Sequence, residues 1–166
     1  MATTNKNLIV TPGSQAESLS KYVTFRLGDE FFGVNILDVK EVTPVMTITP
    51  IFHSNLEISG YVNIRGEIHL VINLRYLFGL QAREIDNESR IVIFKPSVSE
   101  PFGILVDRVG DVLEINQDII EPYSADQSRK VKTSLLTGVC KLDDTLLMVL
   151  DAHLLLNSRT DLNESK

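Results

Sequence analysis

Gly60-Tyr61-Val62-Asn63-Ile64-Arg65-Gly66-Glu67-Ile68-His69-Leu70-Val71-Ile72-Asn73-Leu74-Arg75-Tyr76-Leu77-Phe78 decides the fold, because the chain contains this pattern twice. The second copy reads Gly138-Val139-Cys140-Lys141-Leu142-Asp143-Asp144-Thr145-Leu146-Leu147-Met148-Val149-Leu150-Asp151-Ala152-His153-Leu154-Leu155-Leu156 and aligns without a gap. Upstream, Phe32-Gly33-Val34 through Lys40-Glu41-Val42 matches Phe102-Gly103-Ile104 through Gly110-Asp111-Val112 in the same order. Two matches in one order indicate an internal duplication. A duplicated β protein has a seam between its halves, and seams are natural docking grooves.

Within each copy the pattern reads as a hairpin. Val62-Asn63-Ile64 and Ile68 to Ile72 flank Arg65-Gly66-Glu67, whose glycine supplies a positive φ. Asn73 then reads as the N-cap of a short helix that stops at Gly79, and Asp151 takes its place before Ala152 to Leu156. Tyr22 to Leu27 alternates Val, Phe and Leu on one face with Tyr, Thr and Arg on the other, as a half-buried strand does. Gly28-Asp29-Glu30 turns the chain into a return strand from Phe31.

From Asn35 to Val42 the spacing fits a helical turn followed by strand, and Pro44 and Pro50 bracket a loop. Ile91 to Phe94 and Phe102 to Val106 are further strands, followed by Asp107 to Val112 and Leu113 to Ile115. Asn116 to Thr133 reads as a long connection. Many short strands punctuated by Gly and Pro indicate an all-β barrel or sandwich, here two small barrels related by duplication. The expected organisation is a polar tail over 1–20, an ordered unit over 21–157 with halves at about 21–80 and 90–157, and a second tail over 158–166. Whether the first strand stays in its own half or is exchanged across the seam is open.

The chain has 166 residues, 43% of them hydrophobic, and a formal net charge of −6. It can bury a sizeable core, roughly 70% of its unfolded surface. The basic residues are scattered, which argues against a nucleic-acid partner. A lone Cys140 permits no internal disulfide and fits a reducing cytosol, where it serves as a small buried hydrophobe. No signal-peptide core or membrane-spanning run is present, so no direct membrane insertion is expected.

Enzyme patterns are absent. There is no Gly-rich phosphate loop and no Gly-x-Ser-x-Gly elbow. His53, His69 and His153 lack companions at ligand spacing and read as surface or strand-edge residues, so no metal or cofactor is expected. The expectation is that the chain is not an enzyme.

The ordered set Phe25-x-Leu27-Gly28-x-Glu30-x-x-Gly33-Val34, Val39-x-Glu41-Val42, Gly60-x-Val62-Asn63-x-Arg65-Gly66, Gly103-Ile104-Leu105-Val106-Asp107, Gly138 and Leu150-Asp151 resembles the CheW family of bacterial chemotaxis coupling proteins. The resemblance runs from about Tyr22 to Leu156. It implies two five-stranded SH3-like β-barrels with short capping helices. It also implies a cytoplasmic adaptor, associated with membrane receptor arrays, between the cytoplasmic tips of chemoreceptors and the regulatory domain of a CheA-type histidine kinase.

By position, Val39, Glu41 and Arg65 match family residues linked to receptor and kinase coupling. Val109 and Val112 match apolar positions whose change disturbs those contacts. From the residues alone, Val39, Val109 and Val112 are equally well core, and Glu41 and Arg65 solvated. The copies do differ at one informative place: Arg65-Gly66 becomes Asp143-Asp144, so the two hairpin tips carry opposite charge. Leu70, Asn73 and Phe52-His53 depart from the family's usual proline, aspartate and proline. A coupler of a variant pathway such as surface motility is therefore an alternative, and a small β-barrel ligand- or nucleic-acid-binding module is another.

Overall fold

The computed structural model describes residues 18–123 and 133–156. Ten strands form two five-stranded sheets. In chain order they are β1 (Leu19–Leu27), β2 (Glu30–Asn35), β3 (Val39–Pro44), β4 (Ile58–Ile64), β5 (Glu67–Asn73), β6 (Arg90–Phe94), β7 (Phe102–Val106), β8 (Arg108–Asn116), β9 (Leu136–Lys141) and β10 (Leu146–Leu150). A short helix α1 (Leu74–Leu77) follows β5, and helix resumes over 152–156 after β10. One sheet has the order β8-β1-β2-β10-β9 and the other β3-β6-β7-β5-β4.

The duplication is visible in these orders. Replacing each strand of one copy by its counterpart in the other converts the first sheet into the second. The registers agree as well. β2 runs parallel to β10 with Phe32 opposite Met148, and β7 runs parallel to β5 with Phe102 opposite Leu70. Phe32 and Phe102 are counterparts in the sequence repeat, as are Leu70 and Met148. Each sheet therefore takes its first two strands from one copy and three strands from the other. Two strands, not one, cross the seam in each direction.

The cores follow from this exchange. The largest cluster lies between the sheets and includes Phe25, Phe32 and Val34 from one, and Ile72, Phe94, Phe102 and Ile104 from the other. Phe25 stacks on Phe32 at 5.5 Å, and their counterparts Phe94 and Phe102 stack at 4.8 Å. Such pairs contribute about 0.5–1.5 kcal/mol beyond the area they bury. Each sheet also wraps a smaller cluster on its other face, Tyr22, Ile115, Cys140 and Leu147 in one and Val62, Val71, Ile91 and Ile93 in the other.

β1 accordingly differs from its half-buried reading. Tyr22 and Thr24, on the expected polar face, are buried along with Val23 and Phe25. The main cluster takes Val23 and Phe25 on one face of β1 and a smaller cluster takes Tyr22 on the other, so both its faces carry core. It also begins at Leu19, inside the stretch expected as tail, because Leu19 pairs with Asn116. The rest of that tail, the expected tail over 158–166 and much of the 116–133 connection lie outside the described residues. The turn after Asn35 is a 3-10 helix over Ile36–Asp38, and Asp107 to Ile115 contributes one continuous strand rather than two. Both expected caps are present. The Asn73 side chain accepts from Arg75 N–H at 3.0 Å and the Asp151 side chain from His153 N–H at 2.9 Å.

Candidate functional site

The β4–β5 connection is a two-residue turn in which Arg65 and Gly66 have φ of 52° and 87°. Two successive positive φ values match the strand twist of a hairpin. Asn63 tightens the turn by accepting the Gly66 N–H at 2.8 Å. Glycine tolerates this backbone freely, whereas an arginine there strains it by roughly 1 kcal/mol. The side chain is 78% exposed, so it repays none of that by burial.

Its Nη1 instead lies 3.2 Å from Oε2 of Glu41, a carboxylate that is 25% exposed. β3 and β4 are the two edges of one sheet and share no ladder. The Arg65–Glu41 pair links the turn after β4 to β3 across that gap. Two of the expected site residues are thus in direct contact.

Val39 stands on the same edge strand, opposite Phe94, half-buried against the main core. Val109 is its counterpart on β8, opposite Phe25, and is also half-buried there. Val112 behaves otherwise. It is 49% exposed, and its counterpart Val42 is exposed too. Val109 packs against the main core while Val112 is exposed, and a register shift between Val23 and Phe25 lies between the two positions. The five residues therefore fall into two groups: Val39, Glu41 and Arg65 at the rim of one sheet, Val109 and Val112 on the edge strand of the other.

His69 corrects the reading of the histidines as surface or strand-edge groups. Its side chain is only 3% exposed. Nδ1 lies 3.1 Å from the Glu67 carbonyl and Nε2 lies 3.1 Å from the Glu67 carboxylate. It sits two residues from Glu67 and four from Arg65 on β5, directly beneath the tip. The signal in the sequence was the same-face spacing of Glu67 and His69.

A buried charge network also escaped the sequence reading. Asp107, at the end of β7, accepts from Arg75 Nε at 2.9 Å and Nη2 at 2.6 Å, from Gly28 N–H at 2.7 Å and from Arg83 Nη1 at 3.0 Å. Burial pushes this carboxyl up, but the Arg75 hydrogen bonds, the Gly28 N–H and Arg83 outweigh it and hold the group below the usual carboxylate range. The network ties the β1–β2 turn to α1 and to the linker between the copies, which is a structural task. Cys140 is buried, and burial with nearby Glu121 pushes its thiol up, away from nucleophile chemistry. Among the described residues, no group of three metal-ligating side chains is placed to hold an ion, and no helix is long and apolar enough to cross a membrane.

Duplicated five-stranded sheets with exchanged strands, and edge strands presenting a charged tip and an exposed valine, define a β-rich protein of two related halves. The CheW-like domain family matches residues 21–160, and the chain belongs to that family. It is 33% identical over 138 residues to the chemotaxis protein CheW of Klebsiella aerogenes, covering 83% of this chain and 82% of that protein. It is 31% identical over 142 residues to CheW of Treponema pallidum, covering 82% of each. The scaffolding protein TtCheW from Thermoanaerobacter tengcongensis has a similar structure, with a TM-score of 0.74 and 31% identity over 87% of this chain and 91% of that one.

Proposed function

We propose that this chain is a cytoplasmic, non-catalytic adaptor that couples the tips of chemoreceptors to a CheA-type histidine kinase. Arg65, Glu41 and Val39 contribute one docking surface, and exposed Val112, with Val109 packed beneath it against the core, the other. The observation that carries this reading is the backbone of Arg65. A side chain held in a left-handed turn, exposed and anchored by a single carboxylate, is unfavourable for folding alone. A guanidinium so displayed has donors left over for a partner's carboxylate or helix-end carbonyls.

The two groups of residues lie on different sheets, as an adaptor that grips two partners at once requires. Exposed Val112 offers an apolar contact of the kind that the side of a partner's helix takes. The second hairpin tip, with Asp143 and Asp144 beside Asp29, is acidic and cannot substitute for Arg65.

The test is reconstitution of the purified chain with a CheA-type kinase and a receptor fragment. Receptor control of kinase activity should appear only when this chain is added. Kinase control that is the same with and without it refutes the coupling role.

A further inference from the structure

The connection from β3 to β4 ends in two short turns, and each displays one large apolar side chain. In the first, Ser54 donates to the Ile51 carbonyl through its Oγ at 2.9 Å. In the second, Ile58 N–H donates to the Asn55 carbonyl at 3.0 Å. Ile51 and Ile58 pack against the main core and anchor the turns. Between these anchors Phe52 is 93% exposed and Leu56 is 75% exposed. His53 holds the first turn in a left-handed conformation, with φ of 61°, which side chains disfavour. Folding gains nothing from displaying two large apolar groups to water on a strained turn.

A matching recess lies beside β4 and β5. It is a cavity of about 220 Å³, walled by buried Leu70 and Phe102 and by the more exposed Tyr61, Ile68 and Leu156. An apolar cavity of about 150 Å³ already admits benzene, so a phenyl ring fits this one by volume. The charges match as well. Val42 to Leu56 contains no Asp, Glu, Lys or Arg, the longest such run in the chain. Among the described residues, the cavity wall is uncharged except for Glu100. His53, next to Phe52, is a ring donor able to meet that carboxylate. An anionic lipid surface is a poor alternative, since the chain has a net charge of −6 and this loop has no basic residue to offset it.

We propose that the two features are halves of one contact, in which Phe52 of one copy of this chain enters the Tyr61–Ile68–Phe102 cavity of a second copy. The first copy's His53 then lies against the second copy's Glu100. Because the contact joins two different patches, it is either reciprocal in a pair or propagates head to tail. A patch this small binds weakly, with a dissociation constant of about 10 μM to 1 mM. It uses none of Val39, Glu41, Arg65, Val109 and Val112, and so is independent of the coupling role.

The experiment is a dilution series of the isotope-labelled full chain across that range, read by sedimentation velocity and by the amide resonances of Ile68 and Phe102. Association that rises with concentration, with matching shifts at both amides, is expected. Phe52→Ser removes the inserted ring and Ile68→Glu puts a charge at the cavity, both at exposed positions that leave the fold intact. Each should weaken association at least about tenfold. The two variants mixed should associate more tightly than either alone, because one supplies the cavity and the other the phenylalanine. A chain that stays monomeric throughout overturns the proposal. So does a Phe52→Ser chain that associates like the native one, or a mixture no tighter than its separate components. Phe52-dependent binding of a monomeric chain to neutral phosphatidylcholine vesicles would assign the loop to a lipid surface instead.

Discussion

Arg65 and Glu41 join, at 3.2 Å, the two edge strands of a sheet that have no hydrogen-bonded ladder between them. The pair is largely exposed on the arginine side, so it contributes only about 0.2–1 kcal/mol to folding. Against that stands the left-handed strain at Arg65. The two terms nearly cancel. Asparagine accepts a positive φ far better than arginine.

Arg65→Asn is therefore expected to unfold in urea within about 0.5 kcal/mol of the native chain. In the reconstituted kinase assay the same variant should lose receptor control. Truncating one member of a desolvated charge pair at an interface weakens it by roughly 2–5 kcal/mol. Full control by Arg65→Asn would remove Arg65 from the docking surface and leave the turn as a piece of fold.

The two β8 valines separate a stability effect from a binding effect. Val109→Asp puts a carboxylate against the main core and should destabilise the fold through its lost hydration, by more than Val112→Asp does. Val112→Asp, half exposed, should remain folded with a melting temperature within a few degrees of native. If Val112 contacts the receptor, its variant should bind receptor fragments more weakly while native-like by circular dichroism. A Val112→Asp chain that fails to fold would return the position to the core.

The duplication was legible because hairpin and cap chemistry repeat at the level of single residues, Asn73 with Asp151 and Gly60 with Gly138. Strand exchange was not. A repeat states that two copies are alike, and strands that pair within a copy or across copies leave the same pattern. The faces of β1 were misread at Tyr22 and Thr24 because alternation distinguishes buried from exposed only when one face meets water. Val109 and Val112 could not be told apart because both fit an apolar strand, and which of them is covered depends on the register and packing of β8 rather than on the local pattern. The Arg75–Asp107 network joins residues far apart in sequence, with no local spacing to announce it.

That network predicts an acid-dependent stability. The Asp107 carboxyl titrates below its unfolded value of about 3.9, so its contribution is complete above that pH. It is lost as pH falls through the lower, folded-state value. Urea midpoints of the native chain should drop on acidification below about pH 4. Asp107→Asn should start less stable at neutral pH and show a shallower acid slope. Asp86, also held low by the Glu88 N–H and by Arg83, keeps some slope in the variant. An unchanged slope in Asp107→Asn would show that other carboxylates govern acid unfolding.

The last expectation tests the duplication through its two glycines. At Gly60 an added Cβ would lie 2.1 Å from the Thr49 carbonyl oxygen, and at Gly138 it would lie 2.3 Å from that of Glu121. Both carbonyls belong to backbone that bridges across the hairpin, Thr49 to Tyr61 and Glu121 to Val139, with N–H to O distances of 2.8 Å. An alanine at either site must push a loop off its hairpin, and neither neighbour is a flexible side-chain end that could swing away. Gly60 carries a second difficulty, since its φ of 142° disfavours any side chain. Gly138→Ala should therefore destabilise by about 2 kcal/mol or more, and Gly60→Ala by more still. Gly66→Ala is the control, because its turn has open space for a Cβ and only the positive φ to oppose it. It should lose no more than about 1 kcal/mol. Urea unfolding of the three variants gives the order. Equal losses at all three positions would mean that backbone conformation, not the shared close approach of loop to hairpin, governs the glycines.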